Sequence, residues 1–486
     1  MKFIATSWLL STLLVGVAQA VPHVQRDTVS KVVKRGIEYT VYHHAATGAN
    51  LEIVKNSGIC ETTPGVNQYS GYLSVGEDMN MFFWFFEARH NPQTAPLTAW
   101  FNGGPGCSSM IGLFQEHGPC RFVDNETTPS LNPYSWNTYS NMIYIDQPIG
   151  VGFSYGNDAV NSTVTAAPFV WKLLQAFFAH FPEYESREFN LFTESYGGHY
   201  GPEFAHYIQQ QNAGIKTGAV TGETINIGSL GINNGWFDST IQEKAYITYA
   251  LQNPYRPLIN ASAGAKYYKD YQEYCVPAIQ KCTTLGTNAA CIKAGNICGD
   301  LIDDPIMESG DWDVYDVREP SNDPYPPETY YYYLNDAAVQ RAIGARQNYS
   351  ECPDAPYYKF SATGDGTRSF LATLSDVVQT GINVLLWAGD ADWICNWIGG
   401  FGVANAVEFA GQTAFQNKTL QPYKVNGTEK GTFKTVGNFT FLRVYEAGHE
   451  VPYYRKSSPA LLRELRPETA LQVFSQVIKK VPLFST

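Results

Sequence analysis

Five short apolar runs along the chain each end in a loop of small and polar residues. Leu97–Phe101 leads into Asn102-Gly-Gly-Pro-Gly106, Asn141–Ile145 into Asp146-Gln-Pro, and Phe189–Thr193 into Glu194-Ser-Tyr-Gly-Gly198. Asn383–Trp387 leads into Ala-Gly-Asp-Ala-Asp392, and Phe439–Tyr445 into Glu-Ala-Gly-His449. Near-continuous apolar runs of about five residues suit strands buried on both faces. Helical periodicity lies between some of them, over Ala167–Phe181 and His199–Gln211. A last helix is predicted over Pro467–Val481, with Leu471, Phe474, Ile478 and Val481 on one face and Pro467 in the first turn. Strand, loop and helix in repetition predict an α/β sheet covered on both sides. The stretch 236–367 breaks the pattern. It is crowded with Tyr, Pro and Asp, holds Cys275, Cys282, Cys291, Cys298 and Cys352, and reads as a cap inserted into the sheet. Its run Tyr330–Tyr333 is read as packing rather than as a binding surface.

The composition narrows the function. The 486 residues carry 45 acidic against 33 basic side chains, a formal charge of −12. A nucleic-acid partner is excluded, since phosphate recognition needs clustered Lys and Arg. Low charge content with 14% aromatics excludes a disordered chain. Nine cysteines leave at least one unpaired within the chain.

Met1–Ala20 reads as a secretory signal peptide. Lys2 is its positive start, Trp8–Ala18 its apolar stretch, and Ala18-Gln-Ala20 its cleavage site. The apolar stretch is too short to span a bilayer, so no membrane partner or anchor is expected. Lys34-Arg35 is a candidate second cut that would release Val21–Arg35 as a propeptide; an ordinary basic surface stretch is the competing reading. Sequons begin at Asn125, Asn161, Asn260, Asn348, Asn417, Asn426 and Asn438. Seven in a secreted chain predict several occupied sites, in a compartment that permits disulfides.

The chemistry concentrates at Ser195. A nucleophile elbow places a Ser in a tight strand-to-helix turn, flanked by small residues. Thr193 stands where the usual Gly-x-Ser-x-Gly pattern has its first Gly, so the match is partial. Chain order strengthens it, because an α/β-hydrolase carries its triad as Ser, then acid, then His. Asp390 and Asp392 both follow one predicted strand, and His449 follows the next. Ser195 then attacks, His449 takes its proton, and an Asp holds the imidazole tautomer. The glycines after Asn102 let the backbone approach an oxyanion. A phosphate-binding loop would need a Gly-Lys-Ser/Thr ending that is absent here.

Five motifs together resemble the serine carboxypeptidase family, and most closely its secreted fungal members. They are Phe101-Asn-Gly-Gly-Pro-Gly-Cys-Ser-Ser109, Asp146-Gln-Pro-Ile-Gly-Val-Gly-Phe-Ser-Tyr155, Glu194-Ser-Tyr-Gly-Gly-His-Tyr200, Gly389-Asp-Ala-Asp-Trp-Ile-Cys-Asn396 and Gly448-His-Glu-Val-Pro452. The resemblance runs from about Gly71 to the C-terminus. It implies an α/β-hydrolase fold, with a core of 36–235 and 368–486 and a disulfide-bearing cap at 236–367. It implies a triad of Ser195, Asp392 and His449, choosing Asp392 over Asp390 because the family's acid lies three residues before a Cys, here Cys395. It implies an oxyanion hole from the N–H groups of Gly104 and Tyr196. It also implies that Asn102, Gly103, Glu116 and Glu194 grip the substrate's terminal carboxylate.

The expected activity is removal of single C-terminal residues from peptides or proteins through an acyl-enzyme, with no cofactor and no metal. Two carboxyls sharing a site cannot both ionise cheaply, so Glu116 and Glu194 are expected to retain a proton and favour acidic pH. An acyltransferase or a carboxylester hydrolase on the same scaffold is the alternative, and a vacuolar destination the alternative to secretion.

Spacing suggests nested disulfides, Cys275–Cys298 around Cys282–Cys291, and the family carries a similar nested pair. A zinc site in these four is weaker, since no Cys-x-x-Cys occurs. The resemblance implies Cys107–Cys352. Cys60 and Cys120 remain and are paired by elimination, leaving Cys395 as a free thiol beside Asp392.

Overall fold

The computed structural model describes residues 28–34, 37–43, 50–122, 126–322, 329–453 and 466–486. The signal peptide Met1–Ala20, most of the candidate propeptide, Arg35 and the sequon at Asn125 lie outside the described residues.

Thirteen strands form one continuous path. They are β1 (Thr28–Lys34), β2 (Ile37–His43), β3 (Asn50–Lys55), β4 (Gln68–Gly76), β5 (Met79–Phe86), β6 (Leu97–Phe101), β7 (Asn141–Ile145), β8 (Phe189–Glu194), β9 (Ile227–Asn233), β10 (Asn383–Gly389), β11 (Gln421–Val425), β12 (Thr428–Val436) and β13 (Phe439–Val444). Their order across the sheet is β1-β2-β3-β4-β5-β7-β6-β8-β9-β10-β13-β12-β11. The six strands β7-β6-β8-β9-β10-β13 pair in parallel. Antiparallel strands extend the sheet on both flanks. This is the expected α/β-hydrolase sheet. β1 lies inside the candidate propeptide and pairs with β2 over seven residues, so the sheet begins within a stretch the sequence left without structure.

The parallel strands are apolar throughout because helices cover both faces. On one face, Ala99 and Phe101 of β6, Leu191 of β8 and Leu386 of β10 pack beneath α1 (Thr163–His180) and α2 (Gly197–Thr217). On the other, Trp100, Phe192 and Trp387 pack against Phe474 of α3 (Arg466–Ile478). Ser162 begins α1 with a reciprocal capping box to Thr165, which starts the helix four residues before the apolar periodicity. α3 ends at Ile478 rather than Val481. Lys480 takes a positive φ of 53°, and Val481 lies exposed beyond the helix.

The stretch 236–367 is mostly helical. Its first part, with Tyr249, Ile279, Trp312 and Val317, builds a separate apolar cluster around Cys275–Cys298 and Cys282–Cys291. Its later part joins the main core through Tyr330, Leu334, Ile343 and Tyr349. The tyrosine run divides accordingly: Tyr330 is buried and Tyr332 is exposed. Cys60–Cys120 and Cys107–Cys352 are also bonded, and Cys395 is the free, buried cysteine.

Candidate active site

Because the six central strands run parallel, their C-terminal ends meet at one edge, where α/β sheets place ligands. β6 delivers Asn102, β8 delivers Glu194 and Ser195, and β9 delivers Asn233 and Asn234. β10 delivers Asp390 and Asp392, and the loop after β13 delivers His449.

Ser195 occupies the turn between β8 and α2 at φ 62°. A non-glycine residue there carries a strain of about 1–3 kcal/mol, which surrounding bonds must offset. Ser195 N–H donates to Asn233 O at 3.0 Å, and Ser195 O accepts from Gly198 N at 2.9 Å and Trp236 N at 2.9 Å. Thr193, the departure from the elbow pattern, fits because the residue facing it is Gly197. A Cβ there would lie 2.4 Å from Thr193 Cβ, and the Thr193 hydroxyl instead donates to Gly197 O at 3.0 Å.

His449 and Asp392 are buried and joined, Nδ1 to Oδ2, at 2.9 Å. The same Oδ2 accepts from Asn234 Nδ2 at 2.7 Å and Cys395 N at 3.1 Å, and Oδ1 accepts from Ile394 N at 3.1 Å. Burial pulls the His449 pKa down, but the Asp392 carboxylate and then Glu194 outweigh it, so the net shift is upward. Asp390 faces elsewhere. It holds Arg443 at 2.8 Å, accepts from Glu446 N at 2.8 Å and takes the Tyr255 hydroxyl at 2.5 Å. Of the two acids the sequence offered, only Asp392 bonds the histidine. The stretch 236–367 reaches this histidine: the Tyr315 ring meets the His449 ring edge-on at 5.0 Å, and Tyr315 O accepts His449 N–H at 2.9 Å.

Gly103 backs directly onto the elbow, where a Cβ would lie 2.5 Å from Tyr196 N. The N–H groups of Gly104 and Tyr196 donate to no acceptor among the described residues. Their loop is fixed from below by Asp146, which accepts from Ser108 Oγ at 2.6 Å, Ser109 N at 3.1 Å and Phe153 N at 2.9 Å. Burial raises the Asp146 pKa to about 7 against these donors. The disulfide Cys107–Cys352 anchors the loop to the later part of the cap stretch.

Glu116, from the turn Gly112–Glu116, and Glu194 meet in the interior. Asn102 Nδ2 donates to both, at 3.2 Å each, while its Oδ1 accepts from Trp100 Nε1 and Gly112 N. Burial, then the charges of Glu194 and Glu450, push the Glu116 pKa well up; burial also raises Glu194 against the opposing pull of His449. Glu116 Oε2 meets no donor among the described residues, which leaves a seat for a proton shared by the pair.

Cys395 lies beside Asp392, its N–H donating to Asp392 Oδ2. Burial and then the Asp392 charge push its thiol pKa well up, so it stays protonated and is a poor nucleophile. The zinc alternative loses its ligands, because all four clustered cysteines are in disulfides.

Asn233, Asn234 and Tyr315 were not singled out from sequence. The glycines of Ile227-Gly-Ser-Leu-Gly-Ile-Asn233 dilute the apolar signal of β9, and Tyr315 lies in a cap loop with no periodicity.

Comparison with known proteins places these features in context. The serine carboxypeptidase family profile matches residues 58–478. The chain is 66% identical over 433 residues to carboxypeptidase S1 of Penicillium janthinellum, covering 89% of this chain and all of that protein. It is 37% identical over 399 residues to a vacuolar serine-type carboxypeptidase of Saccharomyces cerevisiae, covering 80% of this chain and 76% of that one. A prohormone-processing carboxypeptidase from Saccharomyces cerevisiae has a similar fold, with TM-score 0.71 at 24% identity over 86% of this chain and 92% of that one.

Proposed function

The chain belongs to the serine carboxypeptidase family, and from that premise we propose that Ser195, His449 and Asp392 are its triad and that Glu116 and Glu194 set its acid preference. It is a serine-type hydrolase acting on peptide C-termini. Ser195 Oγ attacks the last peptide carbonyl as His449 takes its proton, and Asp392 holds the imidazole in the tautomer that accepts it. The N–H groups of Gly104 and Tyr196 donate to the oxyanion as charge develops there. Collapse expels the C-terminal amino acid with the proton from His449, leaving an acyl-Ser195 ester. Water, deprotonated by His449, then hydrolyses the ester. No cofactor enters any step.

The observation that carries the reading is the buried carboxyl pair beside the elbow. Its shared proton, with Asn102 and the backbone at Gly103, can donate to a substrate carboxylate that two ionised glutamates would repel. A plain esterase or an acyltransferase has no use for such a grip. For a peptide, kcat/KM should fall as pH rises through ionisation of the pair, whereas the matching C-terminal amide should lose much less. Superimposable pH profiles would defeat the carboxylate grip. Ser195→Ala should release no amino acid from N-blocked dipeptides at about pH 4–5.

Secretion is part of the proposal. It is supported by four disulfides and by exposed sequon asparagines at 161, 260, 348, 417 and 426. Among the described residues no helix is long and apolar enough to cross a membrane. Delivery to a vacuole is the alternative, and activity in culture medium against cell lysate separates the two.

A further inference from the structure

Asn233 is fully buried at the C-terminal end of β9, between Glu194 of β8 and Trp387 of β10. Its side-chain amide has two protons, and both are used at the site. Nδ2 donates to Glu194 Oε2 at 3.0 Å and to His449 O at 2.8 Å, while its backbone carbonyl accepts Ser195 N–H at 3.0 Å. Oδ1 has no partner. The opposite amide orientation would set Oδ1 against a carboxylate oxygen and a carbonyl, two acceptors, so the bonding fixes the amide as stated. An unsatisfied buried oxygen is unfavourable, and it persists here because the nitrogen end holds two groups of the reaction at once.

We infer that Asn233 is a positioning residue that ties the carboxylate-gripping Glu194 to the backbone of the base, His449, so that substrate recognition and proton transfer share one rigid bridge. The inference rests on the roles proposed above for Glu194 and His449. Asn102 Nδ2 reaches the two glutamates but not the His449 backbone, and Asn234, the next residue, bonds Asp392, Gly389 and Cys395 but neither glutamate. Asn233 is the residue whose side chain joins the two halves.

The bridge has a pH signature. A neutral donor on Glu194 Oε2 stabilises that carboxylate's charged form. The titratable groups around the glutamate pair and His449 are Tyr144 of β7, Glu450 after β13, Asp392 and Cys395 after β10, and Asp313 of the stretch 236–367. The proton of Glu116 already belongs to the pair, and His449 is held towards Asp392, so the amide donor on Glu194 Oε2 is lost without replacement from either. Without Asn233 the pair therefore holds its protons to higher pH.

The test uses the full-length enzyme, with active sites counted by a fluorophosphonate. Asn233→Leu keeps the volume and removes both donors; Asn233→Ala is the second variant should the first not fold. Each is measured on an N-blocked dipeptide, its C-terminal amide and an ester without a free carboxylate. The expected result has two parts. The alkaline limb of kcat/KM moves upward for the dipeptide alone, and kcat per active site falls about tenfold on all three substrates, the effect of a lost bond to the base's backbone. An unmoved dipeptide limb, or an unchanged kcat on the ester, overturns the bridge. Glu194→Gln is run alongside: if it leaves the preference for dipeptide over amide intact, the grip reading itself fails, whatever Asn233 does.

Discussion

Two aspartates two positions apart do different work, and their partners say which. Asp392 collects His449, Asn234 and two backbone N–H groups; Asp390 collects Arg443, Tyr255 and the Glu446 N–H. Asp392→Asn should lower kcat by about 10⁴ with little change in melting temperature, because an amide favours the wrong imidazole tautomer. Asp390→Asn should keep kcat within about tenfold yet cost roughly 2–3 kcal/mol, since it weakens the partner of a largely buried guanidinium. Paired kcat and denaturation measurements decide it, and a large kcat loss in Asp390→Asn would contradict the assignment. At this scale the sequence marks residues whose motif spacing is diagnostic, such as Ser195 and His449. It does not mark Asn233, whose role depends on which strand lies between β8 and β10.

At the scale of elements, the tight turn Val436–Phe439 between β12 and β13 shows how a motif and a fold can compete. Asn438 begins a sequon, yet its Nδ2 donates to Val378 O at 2.9 Å and Ile382 O at 2.6 Å, closing the turn against the end of the helix Leu371–Gln379. A glycan on that nitrogen would break the bonds. Glycopeptide mass spectrometry should find Asn438 unmodified, while the exposed Asn348 and Asn417 carry sugar; substantial occupancy at Asn438 would contradict this packing. Strands β6, β7, β8, β10 and β13 were legible as apolar runs because burial on both faces demands them. The shortfall lies in β9, whose Gly231 is required by the Phe192 ring, 2.2 Å from where its Cβ would stand. That requirement belongs to the neighbouring strand and leaves no periodic trace.

Over the whole molecule, most of the buried carboxyls with a shift move upward. Burial raises Glu116, Glu194 and Glu243, Asp146 goes to about 7, and Asp303, facing Glu243 in the cap, goes to about 6. A carboxyl with a raised pKa in the folded state binds more protons folded than unfolded. Stability therefore falls as pH rises from the unfolded value near 4 through the folded one. His449, also raised, adds to that fall. Glu61 and the depressed His117, His180 and His199 oppose it, but are fewer. The melting temperature should be higher at about pH 5 than at pH 7.5, and Asp146→Asn should flatten part of the difference. A curve that rises over this range would refute the ledger of signs. A fold more stable in acid agrees with the −12 charge, much of which is titrated at low pH.

Local pattern was enough to read the parallel α/β core, the Ser–Asp–His order and the family, because apolar runs and long motifs encode local geometry directly. The folded chain adds that Asp390 turns to Arg443 and Tyr255, that the stretch 236–367 divides between two apolar clusters, and that Asn233 Nδ2 donates to both Glu194 Oε2 and His449 O. Each of these depends on contacts between residues far apart in the chain, and a distance across the sheet is not written in any local pattern.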